Sequence, residues 1–380
     1  MQEEQIVSPQ SVYEPLTVSL PRQGVYKNEH AFLDVLEAIA MEKIKVQDSV
    51  GAILIHDMTQ IIPGVVKGPR FRKGHIVQEE DIPVLLSMGK EHIFVWDQTP
   101  GLIHENEAAE RLAQAVAGSG LILDDPKEGK VNLTAAHDGL LYASEDGILA
   151  LNTLEYIILA TLHNHRPVKK GDKVAGTRIV PLMIDEKVIL EAEQIVRTFS
   201  NPILEVRPLR PFKVGIVTTG SEVFHGRIQD KFGPVLRAKV ESWGSVVLAQ
   251  TFASDDVSLI QSCIREQLNQ GADMILVSGG MSVDPDDVTP TAIKEMGAEL
   301  ITYGAPVLPG AMFLLAYIGD VPIMGLPGCV MYSKTTAFDL FAPRLLTGER
   351  LTRQDIVKLG HGGLCLECPV CTYPNCSFGK

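Results

Sequence analysis

Glycine-rich turns that carry hydroxyl and carboxylate side chains are concentrated in the second half of this 380-residue chain. The richest spans residues 278–290, where Gly279-Gly280 frees backbone N–H groups to face an anion and Ser282 adds a hydroxyl donor. Three carboxylates follow within four residues, namely Asp284, Asp286 and Asp287. They repel one another unless a cation or hydrogen-bond donors hold them. Mg²⁺ suits this turn because it is commonly shared between carboxylates and substrate phosphate, whereas the structural alternative is an aspartate that caps the next helix.

Three other turns could help to bind the same ligand. Thr218-Thr219-Gly220-Ser221-Glu222 directly follows an apolar segment and offers hydroxyls beside a glycine that permits close backbone approach. Leu308-Pro309-Gly310 and Gly325-Leu326-Pro327-Gly328 fix the backbone direction but bring no acid–base group. Each of these turns taken alone is common in proteins of any function.

The last part of the chain contains four of its six cysteines, Cys365, Cys368, Cys371 and Cys376. Their spacing lets the thiolates converge on one centre. Zinc takes four thiolates, and the first three positions share the start of the bacterial ferredoxin pattern, so zinc and an iron–sulfur cluster are both predicted. A redox thiol switch and an inert tail are the alternatives. Cys329 stands alone and is expected to be a buried structural thiol.

The elements that must position these groups alternate between strand and helix from Phe212 onward. Strands are predicted at 213–218, 246–251, 273–278, 299–303, 313–317 and 322–324, and helices at 234–243, 257–269, 289–296 and 332–345. This alternation predicts the α/β class with a doubly wound, mostly parallel sheet. Ligands of such sheets bind beyond the carboxyl ends of the strands. The turns at 219–222 and 279–287 are therefore expected to meet at one end of the sheet.

The rest of the chain is predicted to form an N-terminal arm, a mixed β/α region of one or two domains, and a tail. The predicted bounds are 1–27 for the arm, 28–205 for the mixed region, 211–350 for the α/β domain and 351–380 for the cysteine-rich tail. Within the mixed region we expect helices at 29–41, 81–88 and 108–116, and strands at 50–56, 92–96, 139–143, 147–151 and 173–181.

Composition excludes two classes of partner. The net charge is −13 and no cluster of Lys and Arg is present, so nucleic acid is not expected as a partner. No apolar run reaches the roughly 18 residues that span a bilayer, and residues 1–10 lack a signal-peptide pattern. We therefore expect a cytoplasmic protein without a membrane partner.

Taken together and in order, the turns of the α/β region resemble the molybdopterin-binding domain. The matching segments are Thr218-Thr219-Gly220-Ser221-Glu222, Gly226-Arg227-Ile228-Gln229-Asp230, Asp255-Asp256, residues 278–283 with Asp287, Leu308-Pro309-Gly310 and Gly325-Leu326-Pro327-Gly328. That domain is shared by molybdopterin molybdotransferases, adenylyltransferases and competence-damage proteins. The resemblance covers roughly 140 residues, a domain-sized block.

The resemblance implies a set of functional residues. Cofactor contacts would come from Thr219, Gly220, Ser221, Glu222, Gly279, Gly280, Ser282, Pro309, Gly310, Pro327 and Gly328. Catalytic carboxylates would be Asp230, Asp256 and Asp287, with Mg²⁺ held by Asp286 and Asp287. Molybdopterin and molybdate would be the substrates, and the family analogy implies a homodimer.

The sequence also departs from the family pattern. The Pro-Gly-Lys-Pro element is here Pro309-Gly310-Ala311-Met312, without the lysine, and the Pro-Gly-Asn-Pro element is Pro327-Gly328-Cys329-Val330. An enzyme that inserts molybdate with Mg²⁺ is the favoured function. A non-catalytic carrier, chaperone or sensor that serves a molybdoenzyme client, with a metal-binding tail, is the alternative, and an ATP-dependent adenylyltransferase is the third.

Overall fold

The computed structural model describes residues 42–62, 66–95, 100–282, 284–285 and 287–380. The predicted arm, the predicted helix at 29–41 and Asp286 lie outside these ranges. The chain divides into two compact units, one up to Thr99 and one from Pro100 to Lys380. No helix within the described ranges combines the length and apolar character that crossing a membrane requires.

Within its described residues, the first unit contains two antiparallel strand pairs and one α-helix. Its elements are β1 (Glu42–Lys45), a 3₁₀ helix (Val46–Asp48), β2 (Met58–Ile62), β3 (Val66–Phe71), α1 (Asp81–Ser87) and β4 (His92–Val95). Strand β1 pairs with β4, and β2 pairs with β3. The predicted strand at 50–56 is absent from the described residues, which have only an isolated bridge from Ile53 to Ile76 there.

The second unit begins with a mixed region of short antiparallel strands and three helices. Its elements are β5 (Leu102–His104), α2 (Glu105–Val116), β6 (Leu121–Leu123), β7 (Lys130–Ala135), β8 (Gly139–Ala143), α3 (Glu145–Asn152), β9 (Ile157–Thr161), β10 (Pro167–Val168), β11 (Lys173–Ile179), β12 (Met183–Asp185), α4 (Glu186–Arg197) and β13 (Leu204–Arg207). The strands form sheets in the orders β6-β7-β11-β9, β10-β8-β13 and β12-β5.

The predicted strand at 147–151 is wrong, because these residues belong to helix α3. Ser144 is the N-cap, and its side chain accepts a hydrogen bond from the N–H of Gly147. Glu145 and Asp146 lie in the first turn, where negative charge interacts favourably with the helix dipole. The cap and these charges outweigh the low helix propensity of glycine.

The remainder of the second unit alternates between strand and helix. Its elements are β14 (Lys213–Thr219), α5 (Ser221–Phe224), α6 (Phe232–Ser242), β15 (Val246–Ala253), α7 (Val257–Asn269), β16 (Met274–Ser278), α8 (Thr289–Glu295), β17 (Glu299–Tyr303), β18 (Leu314–Ile318), β19 (Val321–Leu326), a 3₁₀ helix (Gly328–Met331), α9 (Ala337–Leu346), α10 (Arg353–Val357) and a 3₁₀ helix (Lys358–Gly360).

These strands form one six-stranded sheet in the order β15-β14-β16-β19-β18-β17. The first four strands are parallel, and β18 runs antiparallel to both of its neighbours. Alternate residues of β14 face different cores, so that Ile216 packs with α6 and α9 whereas Val217 packs with α7 and α8. The α/β class is therefore confirmed, and parallel strands predominate at the end of the sheet that contains β14 and β16.

Helix α9 begins five residues later than predicted because a capping box sets its start. The side chain of Thr336 caps the first turn, and the carboxylate of Asp339 accepts a hydrogen bond from the N–H of Thr336 at 2.8 Å. Lys239 of α6 donates to the same carboxylate at 2.6 Å. The capping box and this ion pair together tie the start of α9 to α6.

Replacing Thr336 with Ala should lower the free energy of unfolding by about 1–2 kcal/mol, since the first turn of a buried helix loses its side-chain cap. Thr198→Ala is the matched control, because this exposed threonine bonds only to Ile195 O at the end of α4. Equilibrium denaturation by urea measures both variants. Equal stabilities of the two would show that the capping box contributes nothing specific.

Candidate functional site

The glycine turns after β14 and β16 line one cavity of about 680 Å³ beyond the carboxyl ends of these strands. Because β14 and β16 are adjacent and parallel, both turns lie at the same edge of the sheet. The cavity is lined by Thr219, Gly220, Glu222, Val223, Ile228, Gln229, Lys231, Phe232, Asp255, Gly279, Gly280, Asp284, Pro285, Asp287 and Met331. The prediction that the two turns meet is confirmed.

Gly279 allows the two turns to approach each other closely. Its φ is +95°, a conformation that residues with a side chain rarely adopt. A Cβ atom at this position would overlap the carbonyl oxygen of Thr219. The neighbouring Gly280 also has a positive φ, +56°, and a Cβ there would lie 2.7 Å from the hydroxyl oxygen of Thr289. Neither position can carry a side chain without moving the turn.

Two buried threonine hydroxyls join the turns. Thr219 Oγ1 and Thr289 Oγ1 are 3.2 Å apart, and Thr289 Oγ1 also donates to the carbonyl of Gly279 at 3.0 Å. Thr219 Oγ1 lies 3.3 Å from the carbonyl of Ser278. Thr219 therefore acts both as a cavity residue and as a link to the second turn.

Carboxylates accept hydrogen bonds from the N–H groups of two serines that the sequence assigned to the cofactor. Asp255 accepts a hydrogen bond from Ser221 N at 2.8 Å, and Asp287 accepts one from Ser282 N at 2.9 Å. By contrast, the N–H groups of Gly279 and Gly280 have no hydrogen-bond acceptor within the described part of the chain. These two N–H groups are consequently available to donate to an anion.

Asp230 and Asp256 have capping roles and do not line the cavity. The carboxylate of Asp230 accepts hydrogen bonds from Phe232 N and Gly233 N at the start of α6. Asp256 is the N-cap of α7 and accepts from Leu259 N at 2.8 Å. The neighbouring Asp255 lines the cavity instead. The catalytic assignment of Asp230 and Asp256 is untested and stays a prediction.

The proline–glycine turns lie around the cavity rather than in its wall. Pro327 and Gly328 begin the 3₁₀ helix Gly328–Met331, and Met331 at its end lines the cavity. Pro309 lines a different cavity, and Gly310 packs against the start of α9, where a Cβ would lie 2.8 Å from Ala337 N. Their assigned cofactor contacts stay predictions.

Sequence reasoning missed Tyr303 and Lys231. The hydroxyl of Tyr303, at the end of β17, donates to the carbonyls of Met281 and Ser282 at 3.0 and 3.2 Å and so supports the second turn. Burial and the nearby Asp287 raise the pKa of this phenol. Lys231 lines the cavity from the segment before α6. A tyrosine at the end of an edge strand offers no sequence signal for such a role.

The charges that line the cavity are predominantly negative. Four carboxylates, those of Glu222, Asp255, Asp284 and Asp287, accompany the single cation Lys231 among the described lining residues. A phosphate placed here would be repelled unless a divalent cation compensated for part of that charge. The donor set suits Mg²⁺, which typically uses one or two carboxylates together with substrate phosphate.

The four tail cysteines line a second cavity of about 310 Å³, beside Pro309 and Thr335. Among the described residues, no group of three or more His, Cys, Asp or Glu side chains is arranged to hold a metal ion. Cys329 is partly buried, and its burial raises the pKa of the thiol. The predicted metal ligands therefore share a cavity, but their side chains do not meet at one point.

Two parts of the chain match known families. Residues 215–347 match the family described as "Probable molybdopterin binding domain", and residues 43–97 match "Domain of unknown function (DUF8806)". The molybdopterin molybdenumtransferase of Staphylococcus aureus (strain COL) is 26% identical over 167 residues, which are 40% of this chain and 39% of that protein. A CinA-like protein of Mycobacterium tuberculosis is 34% identical over 90 residues, 23% of this chain and 21% of that protein.

Among solved structures, the molybdopterin biosynthesis enzyme MoaB of Thermus thermophilus is 24% identical, with a TM-score of 0.31. The similarity covers 36% of this chain and 98% of that one. This chain spans less than half the length of the two curated relatives. The resemblance to the molybdopterin-binding domain is confirmed over residues 215–347. The resemblance to molybdopterin molybdenumtransferase is confirmed over 167 residues.

Replacing Gly279 with Ala should separate the two turns, because the new Cβ meets the Thr219 carbonyl in addition to the strain of a positive φ. We expect the free energy of unfolding to fall by more than about 2 kcal/mol. Gly297→Ala is the matched control, since its φ is +79° but no atom lies within 4 Å of the added Cβ. Its loss should be about 1 kcal/mol.

Thermal or urea unfolding of the two variants gives this difference directly. A Gly279→Ala protein no less stable than Gly297→Ala would mean that the turns do not require this close approach.

Proposed function

We propose that this chain acts in molybdenum cofactor biosynthesis and binds molybdopterin in the cavity between the turns after β14 and β16. The observation that carries the proposal is that these turns line one cavity and lie within the segment that matches the molybdopterin-binding domain. The relatives named as molybdopterin molybdenumtransferases support the same process.

The N–H groups of Gly279 and Gly280 would bind the terminal phosphate of the pterin. They line the cavity and lack an acceptor among the described residues, and an anion satisfies such donors well. Lys231, which also lines the cavity, would add a positive charge. Ser221 and Ser282 would act through their hydroxyls, since carboxylates already accept from their N–H groups.

Mg²⁺ would be held by Asp287, Asp284 and oxygens of the bound substrates. Asp287 Oδ2 accepts from Ser282 N, and Asp284 and Asp287 belong to one turn in which Asp287 N donates to the carbonyl of Asp284. Two carboxylates on a short turn suit a cation that takes its remaining ligands from substrate and water. The cation would neutralise part of the combined negative charge of pterin phosphate, molybdate and cavity.

The favoured activity is insertion of molybdate into the pterin dithiolene. The chain would contribute by positioning and by charge, since the described lining offers carboxylates, one lysine and backbone donors but no histidine or cysteine. The bound phosphate would fix one end of the pterin. The acidic turn would hold Mg²⁺ beside molybdate, the second anion. The oligomer is proposed to be a homodimer, on family analogy.

A non-catalytic carrier for a molybdoenzyme client is the second candidate. The observation that favours it is Ala311 at the position of the lysine in the family's Pro-Gly-Lys-Pro element, which removes a cation suited to an oxyanion. Pterin binding through Gly279 and Gly280 would be retained. An adenylyltransferase would require ATP in addition.

Asp287→Asn should weaken Mg²⁺-dependent binding of metal-free molybdopterin by about tenfold or more, in line with the roughly 1.5–3 kcal/mol of a charged contact. Asparagine keeps an oxygen for Ser282 N, so the turn survives while the charge is lost. Asp320→Asn is the control, because this carboxylate is fully exposed at the turn between β18 and β19. Calorimetry with and without Mg²⁺ measures the affinities, and unchanged Mg²⁺ dependence in Asp287→Asn would assign Asp287 to loop structure alone.

Incubation of the purified chain with metal-free molybdopterin, molybdate and Mg²⁺ should yield pterin that contains molybdenum. Molybdenum analysis of the released pterin measures the product, and omission of Mg²⁺ should abolish it. Binding of the pterin without insertion would exclude the transferase and leave the carrier. Absence of binding would overturn the proposed function altogether.

A further inference from the structure

The cysteine-rich tail is anchored to the α/β domain at both of its ends. At the start, Leu308 N donates to the carbonyl of Gly363, and Cys365 N donates to the carbonyl of Leu308, both at 2.8 Å. At the end, Gly379 N donates to the carbonyl of Gly362 at 2.9 Å, and Phe378 is buried in the core that contains α9. The segment from Cys365 to Phe378 is therefore a closed loop on the surface of the domain.

This loop brings all four of its thiols to one cavity. Cys365 and Cys376 are partly buried and pack against the core, whereas Cys368 and Cys371 are exposed. The cavity has a volume of about 310 Å³. The spacing of the four cysteines only permitted their thiols to converge. The fold places all four thiols at one cavity.

The turn between the first two cysteines has the form of a metal-binding knuckle. Glu367 adopts a φ of +50°, and its N–H lies 3.4 Å from Cys365 Sγ. A positive φ is uncommon for a residue with a side chain, and here it reverses the chain between Cys365 and Cys368. The Glu367 N–H is thus already directed at a sulfur that would become a metal ligand.

A second hydrogen-bonding group approaches another thiol from outside the tail. Thr335 Oγ1 and Cys371 Sγ are 3.4 Å apart, and Thr335 itself lies in the wall of the cavity. Outer groups that orient metal ligands in this way are common around metal centres. Two of the four sulfurs therefore already have hydrogen-bond partners.

We propose that Cys365, Cys368, Cys371 and Cys376 together bind one thiophilic metal centre, a zinc ion or an iron–sulfur cluster. In the arrangement described above the sulfurs line the cavity without meeting at one point. Binding draws the exposed Cys368 and Cys371 toward the two anchored cysteines. For zinc, four thiols lose four protons and no electron is transferred, so the reaction needs no oxidant. An iron–sulfur cluster requires sulfide and iron that includes Fe³⁺; with Fe³⁺ supplied, the charge of a [2Fe–2S]²⁺ or [4Fe–4S]²⁺ centre is reached without a further oxidant.

The test is metal analysis of the full chain, purified without oxygen and without added chelator, followed by reconstitution with Zn²⁺ or with Fe²⁺, Fe³⁺ and sulfide. We expect one centre per chain. An absorption spectrum and a sulfide assay distinguish the two: zinc gives neither visible bands nor sulfide, and a cluster gives both.

Cys368→Ser and Cys371→Ser should each weaken Zn²⁺ affinity by more than about 100-fold, because losing even an outer partner of a metal site costs about 10–100-fold. Both side chains are exposed, so the variants should fold, and far-UV circular dichroism checks that they do. Cys263→Ala is the control, since this buried cysteine lies on α7 in the other core and should leave metal content unchanged.

Absence of a stoichiometric metal after both reconstitutions would overturn the proposal. Equal affinity in wild type and in the two serine variants would also overturn it, because the bound metal would then lie elsewhere. Neither measurement uses molybdopterin, so failure here is distinguishable from failure of the proposed cofactor function.

Discussion

The site depends on the contact between two backbone turns at the ends of adjacent parallel strands. Parallel pairing of β14 with β16 places both carboxyl ends at one edge, and Gly279 lets the second turn approach the carbonyl of Thr219. The hydroxyls of Thr219 and Thr289 then join the turns inside the core. The sheet and these hydroxyl contacts therefore position the turn that carries the N–H groups of Gly279 and Gly280.

Carboxylates in this site shape the turns as well as lining them. Asp255 and Asp287 each accept from the N–H of a serine in a turn, so each stabilises the backbone that forms the wall. Their charges nevertheless face the same cavity, together with Glu222. Structural carboxylates thus impose an electrostatic requirement on the ligand. An anionic ligand there would be repelled unless a cation compensated for part of the charge, because Lys231 alone does not balance the described lining charges.

The strand ends and the glycine turns could be predicted from the sequence because local patterns determine them. Apolar runs that end at Gly220 and Gly279 locate the turns, and alternation of strand with helix implies that they meet. The sequence could not predict which of Asp255 and Asp256 lines the cavity. The two carboxylates are neighbours, and they differ only in that Asp256 caps α7. The strand predicted at 147–151 failed for a similar reason, because the side-chain cap from Ser144 determined the outcome there.

The tail docks on one of the two turns that depart from the family pattern, Pro309-Gly310-Ala311-Met312. Leu308 pairs with Leu364, Pro309 lines the cavity of the thiols, and Gly310 packs on the start of α9. The turn that carries a lysine in the family is thereby used here for docking the tail. The segment 331–335 then separates two cavities, with Met331 in the wall of one and Thr335 in the wall of the other. The two cavities therefore share one short segment of the chain, so the contact of the tail with Thr335 lies only a few residues from the wall of the first cavity.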